Sequence, residues 1–199
     1  MPIRVFSEEE KERLKNKMLE AGFPLLKKYG MTHTSVSKIA EAAEIGTSTF
    51  YNFFGSKEEY MAELIVYHRA RMMSELVPPD VLCGKRKLGR SDAKSFLFAM
   101  IDRELSIYPY MTLEDEALIM QNTGAFAPDI EKETGISDRL FSMLEGVRSD
   151  IDAGVTANLV KIFVLAAEAR QELHSSAYDK TMDILAETVL DIIFEEELK

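Results

Sequence analysis

The chain of 199 residues has one cysteine, no tryptophan, six prolines and ten glycines. A lone thiol, Cys83, forbids an internal disulfide and suits a reducing compartment. So little proline and glycine leaves too few turn signals for an all-β protein. No run of about 18 apolar residues is present, so no membrane-spanning helix and no membrane partner are expected. The N-terminal MPIRVFSEEEKERLK turns charged where a signal peptide needs its apolar stretch, which points to the cytoplasm. His33, His68 and His174 lack metal-ligand spacing with one another or with Cys83, so no metal, cofactor or catalytic residue is expected, and the chain is not read as an enzyme.

Hydrophobic residues supply 46% of the chain and charged residues 29%, enough for a buried core and rich in helix formers. The formal net charge of −10 at first argues against nucleic acid. The acid excess is local, however. Residues 1–76 hold 11 Lys/Arg and 11 Asp/Glu, whereas residues 77–199 hold 13 and 23. The first segment is neutral, and the second carries the whole excess.

Ser7-Glu8-Glu9-Glu10 matches a capping box that opens a helix, with Leu14, Met18, Ala21 and Leu25 forming its apolar stripe. Gly30 is its expected stop, and Pro24 predicts a kink or break between Glu20 and Pro24. A short hydroxyl-capped helix follows from Thr34 to Ala43, then a break at Glu44-Ile45-Gly46, then Thr47 to Phe54, ended by Gly55. A second capping box, Ser56-Lys57-Glu58-Glu59, opens a helix to about Leu76. Residues 77–92, with Pro78-Pro79, Gly84, Gly89 and the basic run Lys85-Arg86-Lys87, read as a flexible connection. Further helices are expected at about 92–108, 112–122, 137–148, 155–174 and 177–196.

Two short helices joined by a tight turn have the form of a helix-turn-helix. Ala40 and Ala43 are small enough for a close crossing, and Ile39, Ile45, Phe50 and Phe54 supply apolar anchors beneath it. Thr47, Ser48, Thr49, Tyr51 and Asn52 are left outside, where hydroxyls and an amide can meet bases or phosphate oxygens. Lys57 would seat a phosphate at the start of the next helix, or is simply a surface lysine of the capping box. The basic run at 85–90 reads chiefly as a solvated loop, with additional DNA contact as the alternative.

The stretch Tyr29-Gly30-Met31, Thr34-Ser35-Val36, Ile39-Ala40, Ala42-Ala43, Ile45, Thr49-Phe50-Tyr51, Phe53-Phe54 and Ser56-Lys57-Glu58 closely resembles the N-terminal domain of the TetR family of bacterial transcriptional regulators. About 35 consecutive positions agree in residue type and spacing, and the likeness covers roughly residues 8–75. It implies an all-α homodimer that binds a palindromic operator on double-stranded DNA and releases it when a small molecule occupies the C-terminal domain. By position it puts Thr47, Ser48 and Asn52 near base edges and Thr49 and Tyr51 near phosphates. It puts Thr34, Ser35 and Ser37 at the start of the first helix of the motif, and Lys57 on the DNA backbone. Glu44 stands where a turn glycine is usual, Ser48 where a glycine is common, and Ser37 where many members have an arginine.

In the second segment, Ile162-Phe163-Val164-Leu165-Ala166-Ala167 is apolar on every side of its helix, so something must cover both faces. The last helix repeats the pattern. Leu159, Ile162, Phe163 and Ala166, with Ile184, Leu185, Val189 and Ile192, are the expected homodimer interface, a four-helix bundle across a twofold axis. Phe96, Met100, Tyr108, Met120, Phe126 and Phe141 are either ordinary core or the lining of an apolar effector cavity whose mouth lies near Gly124 to Pro128.

The expected architecture is thus all-α, with a three-helix DNA-binding domain at 1–55, a connecting helix at 56–76 and an effector-binding and dimerisation domain at 77–199. The expected function is a repressor released by a small-molecule effector. The rival is a helical small-molecule-binding protein or enzyme whose N-terminal segment is only structural.

Overall fold

The computed structural model describes residues 7–124 and 140–195. Among these residues the regular elements are helical, and β-type pairing is confined to isolated bridges at Leu88–Leu144 and Val147–Phe194. The chain divides into two compact units, one comprising Met1–Arg71 and Tyr110–Ala127, the other Met72–Pro109 and Pro128–Lys199. The stretch expected as one domain at 77–199 therefore contributes residues 110–127 to the first unit.

In the first unit, α1 (Glu8–His33) starts at the expected capping box: Glu10 N–H donates to Ser7 Oγ, and Ser7 N–H to the Glu10 carboxylate. It buries Met18, Leu19, Gly22 and Leu26. The kink expected at Glu20–Pro24 is absent. Helical geometry continues through Pro24 and fails only at Gly30, whose φ of 69° is left-handed. Pro24 is exposed, so the Glu20 carbonyl that loses its donor faces the solvent side, while buried residues before and after it anchor both halves to the same unit. Next come α2 (Val36–Ala42), α3 (Thr47–Phe50) and α4 (Lys57–Leu76), the last of which crosses the division between units at Arg71 and Met72. Later in the chain α7 (Leu113–Thr123) opens with a Thr112/Asp115 capping box and closes on left-handed Gly124.

The second unit includes α5 (Pro79–Leu82), α6 (Arg90–Ile101), α8 (Ala153–Glu168) and α9 (Tyr178–Ile193). Their core gathers Leu97, Phe163, Tyr178, Met182, Ala186, Val189, Leu190, Ile193 and Phe194. Residues 77–92 are folded, in contrast to the flexible connection expected there. Val77, Val81 and Leu88 form a small buried cluster, and Arg86 Nε donates 3.0 Å to the Asp80 carboxylate. The expected helix at 137–148 is not continuous either. From Leu144 the chain pairs with distant backbone: Glu145 N–H donates to Leu88 O at 3.0 Å, and Arg148 N–H to Ile193 O at 2.9 Å. Helices α6, α8 and α9 also end short of the 108, 174 and 196 expected, at Ile101, Glu168 and Ile193.

Candidate nucleic-acid interface

The site is built from α2, α3 and the turn between them. Ser35 caps α2, its Oγ accepting from Lys38 N–H at 3.4 Å. Ala40 and Ala43 are buried, so small side chains meet the rest of the unit at this crossing, with Ile39 buried beside them as an apolar anchor. The turn is closed by Ile45 N–H donating to Ala40 O at 2.9 Å, and Glu44 holds a φ of 55°, a left-handed conformation rare outside glycine. Its carboxylate pairs with Lys17 of α1, which holds the Glu44 pKa below the ordinary carboxylate value through that hydrogen bond and the lysine's charge.

Helix α3 has one α-helical turn, and tight turns carry the chain on: Tyr51 N–H donates to Thr47 O, Asn52 N–H to Thr49 O and Phe54 N–H to Phe50 O. An aromatic cluster fixes its underside. Phe50, Phe54 and Tyr60 are each 0% exposed, with ring centroids 5.1 to 5.5 Å apart. Opposite them, Thr47, Ser48 and Asn52 are exposed and Thr49 is half-buried. Tyr51 is 58% exposed, its ring edge-on to Phe50 at 5.4 Å. This turn can therefore present hydroxyls, an amide and a phenol outward while its apolar side is held rigidly, which is what direct readout of base edges requires. An open cleft beside Asn52 and Phe53 is lined by Glu8, Lys11, Glu12 and Lys15, two carboxylates balancing two ammonium groups.

The residues expected around the motif divide. Ser35 and Ser37 are exposed. Thr34 is 0% exposed and donates to Gly30 O at 2.7 Å, so it closes the end of α1 and has no surface to offer a phosphate. Lys57 is half-buried, with Nζ donating to Met31 O at 3.0 Å and Thr32 O at 3.4 Å. It anchors the end of α1 through those two bonds. An ammonium has three donors, so such anchoring leaves it one more. Glu58 and Glu59 occupy the first turn of α4, and Glu59 accepts from Gly55 N–H at 2.7 Å, so the amides expected to receive an anion there lie among carboxylates. Sequence reasoning passed over Lys38, whose Nζ lies 4.1 Å from the centre of the Tyr29 ring. Its only signal was a lysine on the first turn of α2.

With this geometry, residues 18–64 match the family model of the bacterial regulatory proteins, tetR family. That stretch is similar in sequence to the N-terminal domain of the TetR family. No curated protein matches the chain significantly in sequence. The fold resembles reduced NemR of E. coli (16% identity, 93% of this chain and 100% of that one, TM-score 0.54). It also resembles NalD of Pseudomonas aeruginosa, the secondary repressor of the MexAB-OprM multidrug efflux pump (16% identity, 93% and 97%, TM-score 0.51). A TetR-family transcriptional regulator from Haemophilus influenzae aligns at 14% identity over 93% and 98%, with a TM-score of 0.50. At such identities the likeness is one of fold: an all-α chain with a TetR-type helix-turn-helix followed by a helical domain.

The remaining expected sites lie elsewhere in this TetR-type fold. Of the interface set, Phe163 and Val189 are 0% and 1% exposed and belong to the protomer's own core, because each points toward the packed contact of α8 with α9. Leu159, Ala166 and Leu185 are half-buried against that core, and Ile192 is half-buried. Ile162 and Ile184 remain outside, 48% and 56% exposed, with Val155 nearby in sequence on α8 at 44%. Of the effector set, Met100 and Phe141 pack against the same core, Phe96 and Tyr108 are half-buried, and exposed Met120 belongs to the first unit. Phe126 and the mouth proposed at residues 125–128 lie outside the described residues. Among the described residues no helix is long and apolar enough to cross a membrane, and no three His, Cys, Asp or Glu side chains gather as metal ligands.

Proposed function

We propose that the chain is a homodimeric DNA-binding regulator, a repressor that occupies a palindromic operator in the cytoplasm and leaves it when a small molecule binds the helical second unit. The observation that carries this reading is the two-sidedness of residues 47–54: Phe50 and Phe54 fully buried, Thr47, Ser48, Tyr51 and Asn52 outward. The hydroxyls, amide and phenol on that outward face are groups that can meet base edges and phosphate oxygens. The exposed Ile162 and Ile184 support a second copy as the partner of α8 and α9. Two such copies would offer two recognition turns to half-sites about 34 Å apart or a multiple of it.

Release requires an effector that binds the operator-free conformation more tightly, since equal affinity for both shifts nothing. Helix α4 is the natural carrier of the change, because its residues run from the first unit into the second. The test is selection of bound fragments from random duplexes, repeated with candidate ligands. An inverted repeat whose recovery falls with one ligand supports the reading. Ligand binding without duplex affinity at any salt would favour a helical carrier instead.

A further inference from the structure

Six lysines of the first unit fall into two kinds. Lys11, Lys15 and Lys17 each face a carboxylate, those of Glu8, Glu63 and Glu44. Lys28, Lys38 and Lys57 have neutral partners instead. Lys38 Nζ donates to His33 O at 2.8 Å and sits 4.1 Å from the Tyr29 ring centre, and Lys28 Nζ lies 4.9 Å from that same ring. Lys57 Nζ donates to Met31 O and Thr32 O. These ammonium groups converge on residues 29–33, held by a ring face and by carbonyl dipoles, and no carboxylate among the described residues forms an ion pair with any of them.

Gathering like charges costs repulsion that a carboxylate would normally offset. A surface that leaves them unneutralised, in a segment of otherwise balanced charge, is suited to an anion brought from outside. The partners also set the geometry. A cation–π contact and a carbonyl each restrain an ammonium without consuming its charge, so less ordering remains to be done on binding.

We infer that Lys28 and Lys38, held on Tyr29, act with Lys57 as a seat for a phosphate of the DNA backbone. The inference rests on the duplex-binding reading above and deepens it by naming residues that fix affinity rather than sequence. Backbone contacts carry no base information, so their loss weakens every duplex alike.

The test is binding of a fluorescein-labelled mixed-sequence duplex across a salt series, followed by anisotropy, with the full chain and four variants. Lys28→Gln and Lys38→Gln should each flatten the log–log salt slope by about 0.9, the loss of one phosphate contact. Lys38→Arg should keep the slope. Lys17→Gln, which removes the same charge from a paired lysine, should leave it unchanged. Far-UV circular dichroism checks that each variant is folded, and if Lys38→Gln unfolds, Lys28→Gln carries the test alone. Slopes equal to wild type in a wild type that binds overturn this inference only, as does a Lys17→Gln change of the same size. A wild type with no duplex affinity at any salt overturns the proposed function and this inference with it.

Discussion

The Tyr60 hydroxyl donates a 2.9 Å hydrogen bond to the carbonyl oxygen of Met18, and reaches it by passing over Gly22. A Cβ at position 22 would stand 2.4 Å from that hydroxyl and 2.5 Å from a Leu64 methyl. The missing side chain is what lets α4 lie against α1, and burial raises the Tyr60 pKa, keeping the phenol a donor. Gly22→Ala should therefore destabilise the fold by about 1–3 kcal/mol through overpacking. Tyr60→Phe should cost about 0.5–1.5 kcal/mol for the lost bond. The double variant should lose less than the sum, because removing the hydroxyl relieves part of the overlap. Urea denaturation of the four proteins measures all three quantities, and strict additivity would contradict the shared contact.

Much of the first unit was legible because its signals are local. A capping box, a glycine stop and apolar spacing are read within a turn or two of chain, and Ser7, Gly30, Phe50 and Phe54 stand where those rules put them. Pro24 misled because its local cost was weighed without the packing on either side, where Met18, Leu19, Gly22 and Leu26 hold both halves of α1 in place. Residues 144–148 misled because Gly146, whose φ of 67° is left-handed, was passed over as a stop, and because the chain around it pairs with Leu88 and Ile193, partners far away in sequence. The same blindness affected single residues of the candidate sites. Thr34 and Phe163 carry side chains suited to a surface role and a greasy interface respectively, yet both are wholly buried by contacts that no spacing reveals.

The turn of the motif stores strain at Glu44, whose φ of 55° suits glycine better than any branched or long side chain. Glu44→Gly should raise Tm by a few degrees despite losing the exposed pair with Lys17. Glu44→Val, with a β-branched side chain in the same backbone, should lower it. Thermal melts by circular dichroism report both, and a Gly variant less stable than wild type would mean the ion pair outweighs the strain.

Acid should loosen the second unit through one cluster. Lys94 and Arg90 hydrogen-bond the Glu187 carboxylate at 2.7 and 2.6 Å, and hold its pKa below the ordinary 4.5. Folded protein thus binds that proton less readily than unfolded chain does. The contribution is present above about pH 4.5 and is lost as the pH falls through the lower folded value. Glu187→Gln should reduce stability at neutral pH and flatten its decline on acidification. Denaturant midpoints taken from pH 7 downward, with and without the substitution, make the comparison, and parallel declines would remove Glu187 from the account.

Position in the motif separates residues that read DNA from residues that hold the reader. Thr47→Ala or Asn52→Ala should cost about 1–3 kcal/mol at one base pair and relax preference there, since both side chains are free on the outer face. Thr34→Val should leave base preference intact and cost about 1 kcal/mol of folding, because its hydroxyl is spent on Gly30 O. Selection from random duplexes alongside denaturation distinguishes the two effects. A changed consensus for Thr34→Val would contradict the assignment.

Helices α8 and α9 offer the same contrast for self-association. Ile162 and Ile184 expose roughly half their surface in the isolated protomer, whereas Phe163, between them in neither exposure nor role, is fully buried against Phe98 at a ring separation of 5.6 Å. If a second copy covers the outer face, Ile162→Lys with Ile184→Lys should leave a folded monomer, because a charge is tolerated on a wet surface and is costly when buried unpaired in an interface. Phe163→Ala should instead cost about 3–5 kcal/mol of folding by opening a cavity, whatever the oligomeric state. Sedimentation of the lysine pair against wild type, with denaturation of Phe163→Ala, keeps the two apart. A wild type that sediments as a monomer at all concentrations would leave the twofold reading of the operator without its physical basis, and would require that Thr47 and Asn52 act on a single half-site.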